Sequence, residues 1–289
     1  SNVVLYSFWL SRGAYVLANY GSKRSPKIKK IVCRAHGYDL YEDRNKNAFL
    51  PFRDFTFRNL DQISFISEHG KKYFIKKFEK RFRNLKLDVS RLGTFRASVM
   101  KRIVPKNRVV IASCSSIIPL KRLDLIIDIL SNVSCPTKWI HIGVGKEMKK
   151  IEEYAAQKLE KGSYEFLGRI DNSEVLKTYE KNDVDYFMNM SDYEGIPVSI
   201  MEAMSMGIPV IARDVGGVAE IVSSHSGLLL SDVSNKDEVY YLVNNELRRR
   251  IDSSTSYEAK VRKNLSLWEE KYNAERNYDT FFRTLSESL

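Results

Sequence analysis

The sequence predicts an α/β protein built on parallel sheets with helices on both faces. Three observations lead there. From Arg108 onward, short apolar runs alternate with longer helical stretches, as β-α-β units require. The chain's 289 residues exceed what one core ordinarily fills, so two domains are expected. Finally, the stretch NMSDYEGIPVSIMEAMSMGIPVIARDVGG, from Asn189 to Gly217, reads as loop, helix and strand in succession.

In chain order, Val3 to Asn19 reads as a strand-like start followed by a helix. Ile31-Val32-Cys33 is a short buried strand with Arg34-Ala35-His36-Gly37-Tyr38-Asp39 at its C-terminal end. In open parallel sheets that end is where ligands bind. Ile63 to Ser67 is a further strand, and Ser67 is placed to cap the helix after it. Residues 71–86, KKYFIKKFEKRFRNLK, form the next helical stretch, with eight basic residues and one acid, Glu79. Phe74, Phe78 and Phe82 recur every four positions and share one helical face. That face either packs on the domain or, with its lysines, lies on an anionic membrane surface.

From Arg108 the alternation is regular. Strands are expected at Val109–Ser113, Lys138–Ile142, Tyr164–Leu167, Val184–Asn189, Ile208–Ala212 and Leu228–Leu230. Helices are expected at Leu120–Leu130, Lys146–Lys161, Ser173–Lys181 and Val198–Met206, with a short one after Gly216-Gly217. The stretch from Asp237 to Leu289 reads as helical.

Charge is unevenly placed. Residues 1–107 hold 24 Lys and Arg against 8 Asp and Glu, and the remainder 23 against 28. A basic front suits an anionic partner surface. Nucleic acid is not the expected partner, because no helix-turn-helix, zinc-finger or RNA-binding signature accompanies the basic and aromatic residues. No apolar run reaches about 18 residues, so no membrane-spanning helix is expected. Val3 to Leu10 lacks a charged leader and is not read as a signal peptide. Cys33, Cys114 and Cys135 are too few and scattered for a disulfide or zinc framework and read as reduced thiols.

The central segment carries the chemistry. Glu194 and Glu202 lie eight positions apart, with Gly195, Pro197 and a helix from Val198 between them. Proline is tolerated at a helix start, where its missing N–H has no intrahelical partner. Gly207 stands where a left-handed cap belongs. The N-terminus of such a helix attracts an anion, and a carboxylate on the same side accepts hydrogen bonds from hydroxyls. A phosphorylated sugar or nucleotide satisfies both.

E-G-I-P-V-S-I-M-E followed by A-M-S-M-G-I-P-V-I-A resembles the Glu-x7-Glu signature of retaining GT-B glycosyltransferases of the family-4 group. The resemblance implies a GT-B fold with a second, Rossmann-like domain that binds a nucleotide sugar as substrate, without cofactor or metal. It implies an acceptor-side domain over residues 1–107, a nucleotide-sugar domain over 108–270, and a final helix over 271–289 that returns to the first. RAHGYDLYE resembles the family's His-containing strand end, which comes late in the first domain. The resemblance therefore implies an N-terminal domain only partly covered by this stretch.

Site residues follow from the same match. In SCSSIIPLKRLDLII, Lys121 is the expected diphosphate ligand. The usual Arg position is Ser116, which leaves Arg122 as its substitute. Glu202 is expected to accept hydrogen bonds from the ribose hydroxyls. Glu194 is expected beside the transferred sugar, and Gly195, Ile196, Pro197 and Val198 along the sugar and phosphate. His36 corresponds to the family's histidine at the donor sugar, against the alternative of a hydrogen-bonded core residue. Asp183-Val184-Asp185 has the form of a metal–diphosphate motif but straddles a helix end and a strand start. Gly143-Val144-Gly145 lacks the third glycine of a dinucleotide fingerprint and reads as a tight turn.

The expectation is a metal-independent retaining hexosyltransferase. It would transfer sugar to a polysaccharide or lipid-linked saccharide at the cytoplasmic face of the membrane. The alternatives are a GT-B nucleotide-sugar epimerase and a nucleotide-sugar-binding module without turnover.

Overall fold

A computed structural model describes residues 2–23, 25–45, 49–78, 82, 84–252 and 254–287. The chain divides into two compact units, Ser1–Gly93 with Asn273–Leu289, and Thr94–Tyr272.

The first unit is a four-stranded parallel sheet in the order β1-β2-β3-β4. Its elements run β1 (Val3–Ser7), α1 (Arg12–Ser22), β2 (Ile28–Ala35), α2 (Arg53–Arg58), β3 (Gln62–Phe65), α3 (Glu68–Phe78) and β4 (Lys86–Val89). Helix α1 buries Ala14 and Ala18, one turn apart. The Ser67 hydroxyl accepts the Gly70 N–H, the N-terminal cap expected of it. Phe74, Phe78 and Phe82 are buried, each with its ring 5.0–5.3 Å from that of Phe57. The aromatic stripe is therefore core, and only the lysine-bearing side of α3 faces solvent. The helical stretch predicted to reach Lys86 is corrected at its end. Residues 79–81 and 83 lie outside the described residues, and Lys86 opens β4, which pairs with β3 from Gln62↔Lys86 onward. Charged residues masked this short strand, whose ladder supplies what its composition does not.

The second unit holds a six-stranded, wholly parallel sheet in the order β10-β9-β8-β5-β6-β7. It runs β5 (Val109–Cys114), α4 (Leu123–Asn132), β6 (Thr137–Ile142), α5 (Met148–Lys158), β7 (Tyr164–Phe166), α6 (Asn172–Lys181), β8 (Tyr186–Asn189), α7 (Val198–Ser205), β9 (Val210–Arg213) and β10 (Gly227–Leu230), followed by α8 (Lys236–Asp252) and α9 (Ser254–Lys271). Val109, Ile111, Trp139, Tyr186 and Ile211 from the strands meet Leu123, Ile126, Ile127 and Val243 from the helices in one core. Gly207 has φ +83° and closes α7 as expected. The helix predicted from Leu120 is broken instead. Pro119–Lys121 is a 3-10 turn, Arg122 is left-handed at φ +49°, and α4 begins at Leu123.

The last helix, α10 (Ala274–Ser286), belongs to the first unit, where Phe281 and Leu285 pack on Val32. The first unit ends at Gly93 rather than at the predicted Asn107. Residues 94–107 join the second unit because their polar groups find partners there. Thr94 N–H donates to the Tyr272 carbonyl, the Trp268 indole donates to the Thr94 hydroxyl, and Lys101 and Lys106 pair with Asp183 and Asp185.

Candidate active site

Strand order reverses beside β5, which pairs with β6 on one side and with β8 on the other. In open α/β sheets the crevice beyond the strand ends at such a switch point receives the ligand. Two loops border it, residues 115–122 after β5 and residues 190–197 after β8. They are joined by a hydrogen bond from Asp192 N–H to the Leu120 carbonyl, 2.9 Å.

The first loop is held from below by the turn after β6. Ile117 N–H donates to the Val144 carbonyl (3.1 Å) and Glu147 N–H to the Ile117 carbonyl (3.2 Å). Gly143 sits at φ +142°, and a Cβ there would stand 1.9 Å from the Ser115 carbonyl oxygen. The turn expected at Gly143-Val144-Gly145 is thus a backbone cradle for the β5 loop, and the missing third glycine has no role in it. His141, fully buried, fixes the same loop. The Trp139 indole N–H donates to the Ser113 hydroxyl (2.9 Å), which lies 2.8 Å from His141 Nδ1. Ser113 then has its own proton for Nδ1, so Nε2 carries the ring proton and donates to the Ser115 carbonyl at 3.2 Å. Burial lowers the pKa of His141 to about 4, so the ring is neutral there.

This frame brings Lys121 to the second loop. Its Nζ lies 2.6 Å from Glu194 Oε1, and the Asn189 amide lies 3.4 Å from the same oxygen. Behind Glu194 the chain is packed backbone to backbone. Gly216 has φ +58°, and a Cβ on it would lie 1.9 Å from the Glu194 carbonyl oxygen. Gly217 N–H donates to the Gly195 carbonyl (2.9 Å). Only glycine permits that approach in a left-handed backbone.

Helix α7 starts at Val198 with Pro197 as its extended N-cap residue. The first N–H groups of a helix have no intrahelical acceptor and carry its positive end. Val198 and Ser199 thus open the helix with their N–H groups beside the loop that carries Glu194, and Pro197 before them has none to offer. Glu202, one helical turn inside, is 9% exposed and receives a hydrogen bond from the Asn172 amide, 2.8 Å. Burial raises its pKa, and the Asn172 bond opposes that shift only in part.

The second unit therefore brings Lys121, Glu194, Gly195, Ile196, Pro197, Val198 and Glu202 to one edge of its sheet. Arg122 is otherwise engaged, its guanidinium held by Asp124 and Asp192, the latter 3.1 Å from its Nη1. Sequence reasoning missed Asn172, Asn189 and Asp192, which position these groups, and Arg213, which pairs with Asp192. Polar residues just beyond apolar strands were the one signal available for Asn189. A cavity of about 660 Å³ opens beside the first loop, lined among others by Arg122, Asp124, Asp128, Glu147, Tyr154 and Asp192. None of Lys121, Glu194 and Glu202 lines it, and its acidic walls do not suit a diphosphate.

His36 lies in the first unit at the end of β2, 6% exposed, its ring against those of Phe8 and Trp9. Asp183 and Asp185 are consumed by Lys101, Lys106 and Arg250.

The family profile "Glycosyl transferases group 1" matches residues 96–263, which span both loops and both glutamates. The chain belongs to the group 1 glycosyl transferases. An uncharacterized glycosyltransferase of Methanocaldococcus jannaschii, MJ1178, is 34% identical over 137 residues, covering 46% of this chain and 38% of that protein. The chain thus aligns with well under half of that relative's length. Among solved structures, the lipopolysaccharide outer core galactosyltransferase WaaB superposes with a TM-score of 0.75 at 18% identity, over 99% of this chain and 75% of the other. Anabaena HepE in complex with UDP gives 0.74 at 18% identity, over 98% and 78%. At such identities the likeness establishes the fold, which is the GT-B type the sequence predicted.

Proposed function

We propose that this group 1 glycosyl transferase uses a nucleotide sugar, without metal, to glycosylate a saccharide or lipid-linked saccharide acceptor with retention at the anomeric carbon. The observation that carries the reading is the placement of Lys121 against Glu194 at the mouth of α7, with Glu202 one turn deeper. Lys121 and the N–H groups of Gly195, Ile196 and Val198 would stabilise the departing diphosphate, where negative charge develops. Glu202, held by Asn172, would accept hydrogen bonds from the ribose hydroxyls. Glu194 would meet the transferred sugar and steady its developing positive charge. The bond from the anomeric carbon to the diphosphate oxygen breaks, and one to the acceptor oxygen forms on the same face. The acceptor proton leaves with the diphosphate.

The UDP in HepE and the lipopolysaccharide substrate in WaaB's name support a UDP-sugar donor and a surface-glycan acceptor. The basic first 107 residues and the exposed lysines of α3 suit the anionic inner face of a cell membrane. Among the described residues no helix is long and apolar enough to cross it. A thermal-shift and calorimetric screen across UDP, GDP, ADP and their sugars tests the reading. Binding of one nucleotide series by the wild type, lost in Glu202→Ala, supports it; no binding of any of them would falsify it.

A further inference from the structure

Binding at a membrane interface takes apolar side chains and cations together. Helix α3 supplies only the cations. Its Phe74 and Phe78 are spent in the core, while Lys72, Lys76 and Lys77 are exposed. The apolar side chains stand on the neighbouring loop that leads into α2. There Phe49 is 63% and Phe52 60% exposed. Lys77 lines the same cavity of about 600 Å³ as these two rings, which joins the end of α3 to the loop.

Phe52 is held outward against its backbone preference. Its φ is +62°, a left-handed conformation in which the Cβ of a bulky residue crowds the following carbonyl. Two contacts fix it there. Its carbonyl accepts the Thr56 N–H (2.9 Å) at the start of α2, and its ring centre lies 4.6 Å from that of Tyr15 in α1. Glycine or asparagine would take this turn with less strain. The chain instead carries a phenylalanine there whose ring is mostly in solvent. Backbone strain of this kind persists where the side chain has a task. Aromatics exposed singly need no explanation; two of them three residues apart, one strained, beside a lysine-bearing helix, do.

Charge selects the occupant. The acids in the cavity wall, Glu42 and Asp54, are matched there by Lys77 and Arg53, and Lys77 Nζ lies 2.5 Å from Glu42 Oε2. Lys76 adjoins that pair, and Lys72 lies one turn before it on the same side of α3. These two charges are in excess, so a second copy of this face would be repelled. An anionic surface with an apolar interior would not.

We propose that Phe49, Leu50 and Phe52 insert into the interface of an anionic bilayer while Lys72 and Lys76 meet the lipid phosphates. Aromatic rings settle at headgroup level, and each cation near the surface adds attraction to anionic lipid. This deepens the proposed function, on which it rests for the acceptor's place at a membrane, by naming the residues that hold the first unit there.

The test is cosedimentation of the whole chain with vesicles of phosphatidylglycerol and phosphatidylcholine, against phosphatidylcholine alone. Wild type should bind the anionic vesicles and leave the neutral ones. Phe52→Asn, which suits the left-handed turn, should melt no lower than wild type and yet bind vesicles about tenfold more weakly. Lys72→Gln with Lys76→Gln should weaken binding by about tenfold or more. The added tryptophan of Phe49→Trp should be quenched by lipids brominated on their acyl chains. Vesicle binding that Phe52→Asn leaves unchanged, or none by wild type, overturns the proposal. So does a lower melting point in Phe52→Asn, which would make the ring a fold contact, or self-association that Phe52→Asn abolishes. Calorimetry with nucleotide on the same samples keeps the two readings apart. Vesicle binding without nucleotide binding leaves the membrane surface standing and sinks the transferase reading; nucleotide binding by a chain that ignores vesicles does the reverse.

Discussion

Lys121 Nζ lies 2.6 Å from Glu194 Oε1, and both side chains are mostly buried, 22% and 11% exposed. In the structure the ammonium neutralises the carboxylate. Under the proposed function a diphosphate would compete for the ammonium and leave Glu194 facing the sugar, so the two groups would have different tasks.

Substitution separates those tasks. Lys121→Ala should weaken nucleoside diphosphate binding by about tenfold to a hundredfold, the value of a charge-assisted hydrogen bond of about 1.5–3 kcal/mol. Glu194→Gln should leave that affinity within about threefold while lowering turnover, since it removes no donor to phosphate. Calorimetry with the nucleotide, alongside steady-state kinetics, reads both. Equal losses of affinity in the two variants would contradict the division.

Glu202 is expected to oppose stability and favour binding. Burial raises its folded pKa, so the folded state holds the proton more tightly than the unfolded chain does. Its stabilising contribution is present below the unfolded carboxylate pKa and is lost as pH rises through the raised folded value. Glu202→Gln keeps an oxygen for the Asn172 amide and removes the charge. It should unfold no earlier than wild type at neutral pH while binding nucleotide about tenfold to a hundredfold more weakly. Thermal melts at pH 4 and pH 7.5, with and without nucleotide, check this.

Much of the second unit was legible in the sequence because its strands are buried on both faces and so read as apolar runs. The two glutamates were legible because the Gly and Pro beside them constrain the backbone around a helix start. What the sequence concealed lies in long-range pairing. Nothing local distinguishes Asn172 from any other polar helix start, and it matters because Glu202, thirty residues on, points at it. Arg122 looked available for phosphate until Asp124 and Asp192 engaged it. β4 was lost inside a basic helical pattern because its charged residues conceal a strand that only β3 pairing reveals.

His141 gives the second unit a sensitivity to acid. Its pKa falls to about 4 on burial, against an ordinary value of 6.5. The folded state resists protonation, so stability present above pH 6.5 is lost as pH falls toward 4. The full loss is about 3 kcal/mol, from roughly 1.4 kcal/mol per pKa unit. Protonation would also place a proton on Nδ1 facing the Ser113 hydrogen and disturb the Ser115 carbonyl beyond. Urea unfolding at pH 7 and pH 4.5 should show this loss in wild type and a flatter response in His141→Gln. Parallel curves for the two would exclude the ring as the source.

The two aspartates of Asp183-Val184-Asp185 should differ sharply when replaced. Asp185 is fully buried and accepts from Lys101 (3.0 Å), Lys106 (3.0 Å), Arg250 Nε (2.7 Å) and the Val110 N–H (2.9 Å). Removing it leaves three cations around a hole with one carboxylate between them, and buried charges stripped of their partner destabilise by about 3–5 kcal/mol. Asp183 is 41% exposed, so water can replace it, and Asp183→Ala should cost about 1 kcal/mol or less. Because the pair anchors residues 101–106 to β8, Asp185→Ala should also expose that segment to proteolysis. If Asp183-Val184-Asp185 held a catalytic metal instead, Asp183→Ala would abolish activity with little change in melting, and chelation would mimic it. A chelator-insensitive enzyme whose Asp183→Ala variant keeps its turnover, beside an unstable Asp185→Ala, is the outcome the ion-pair network requires.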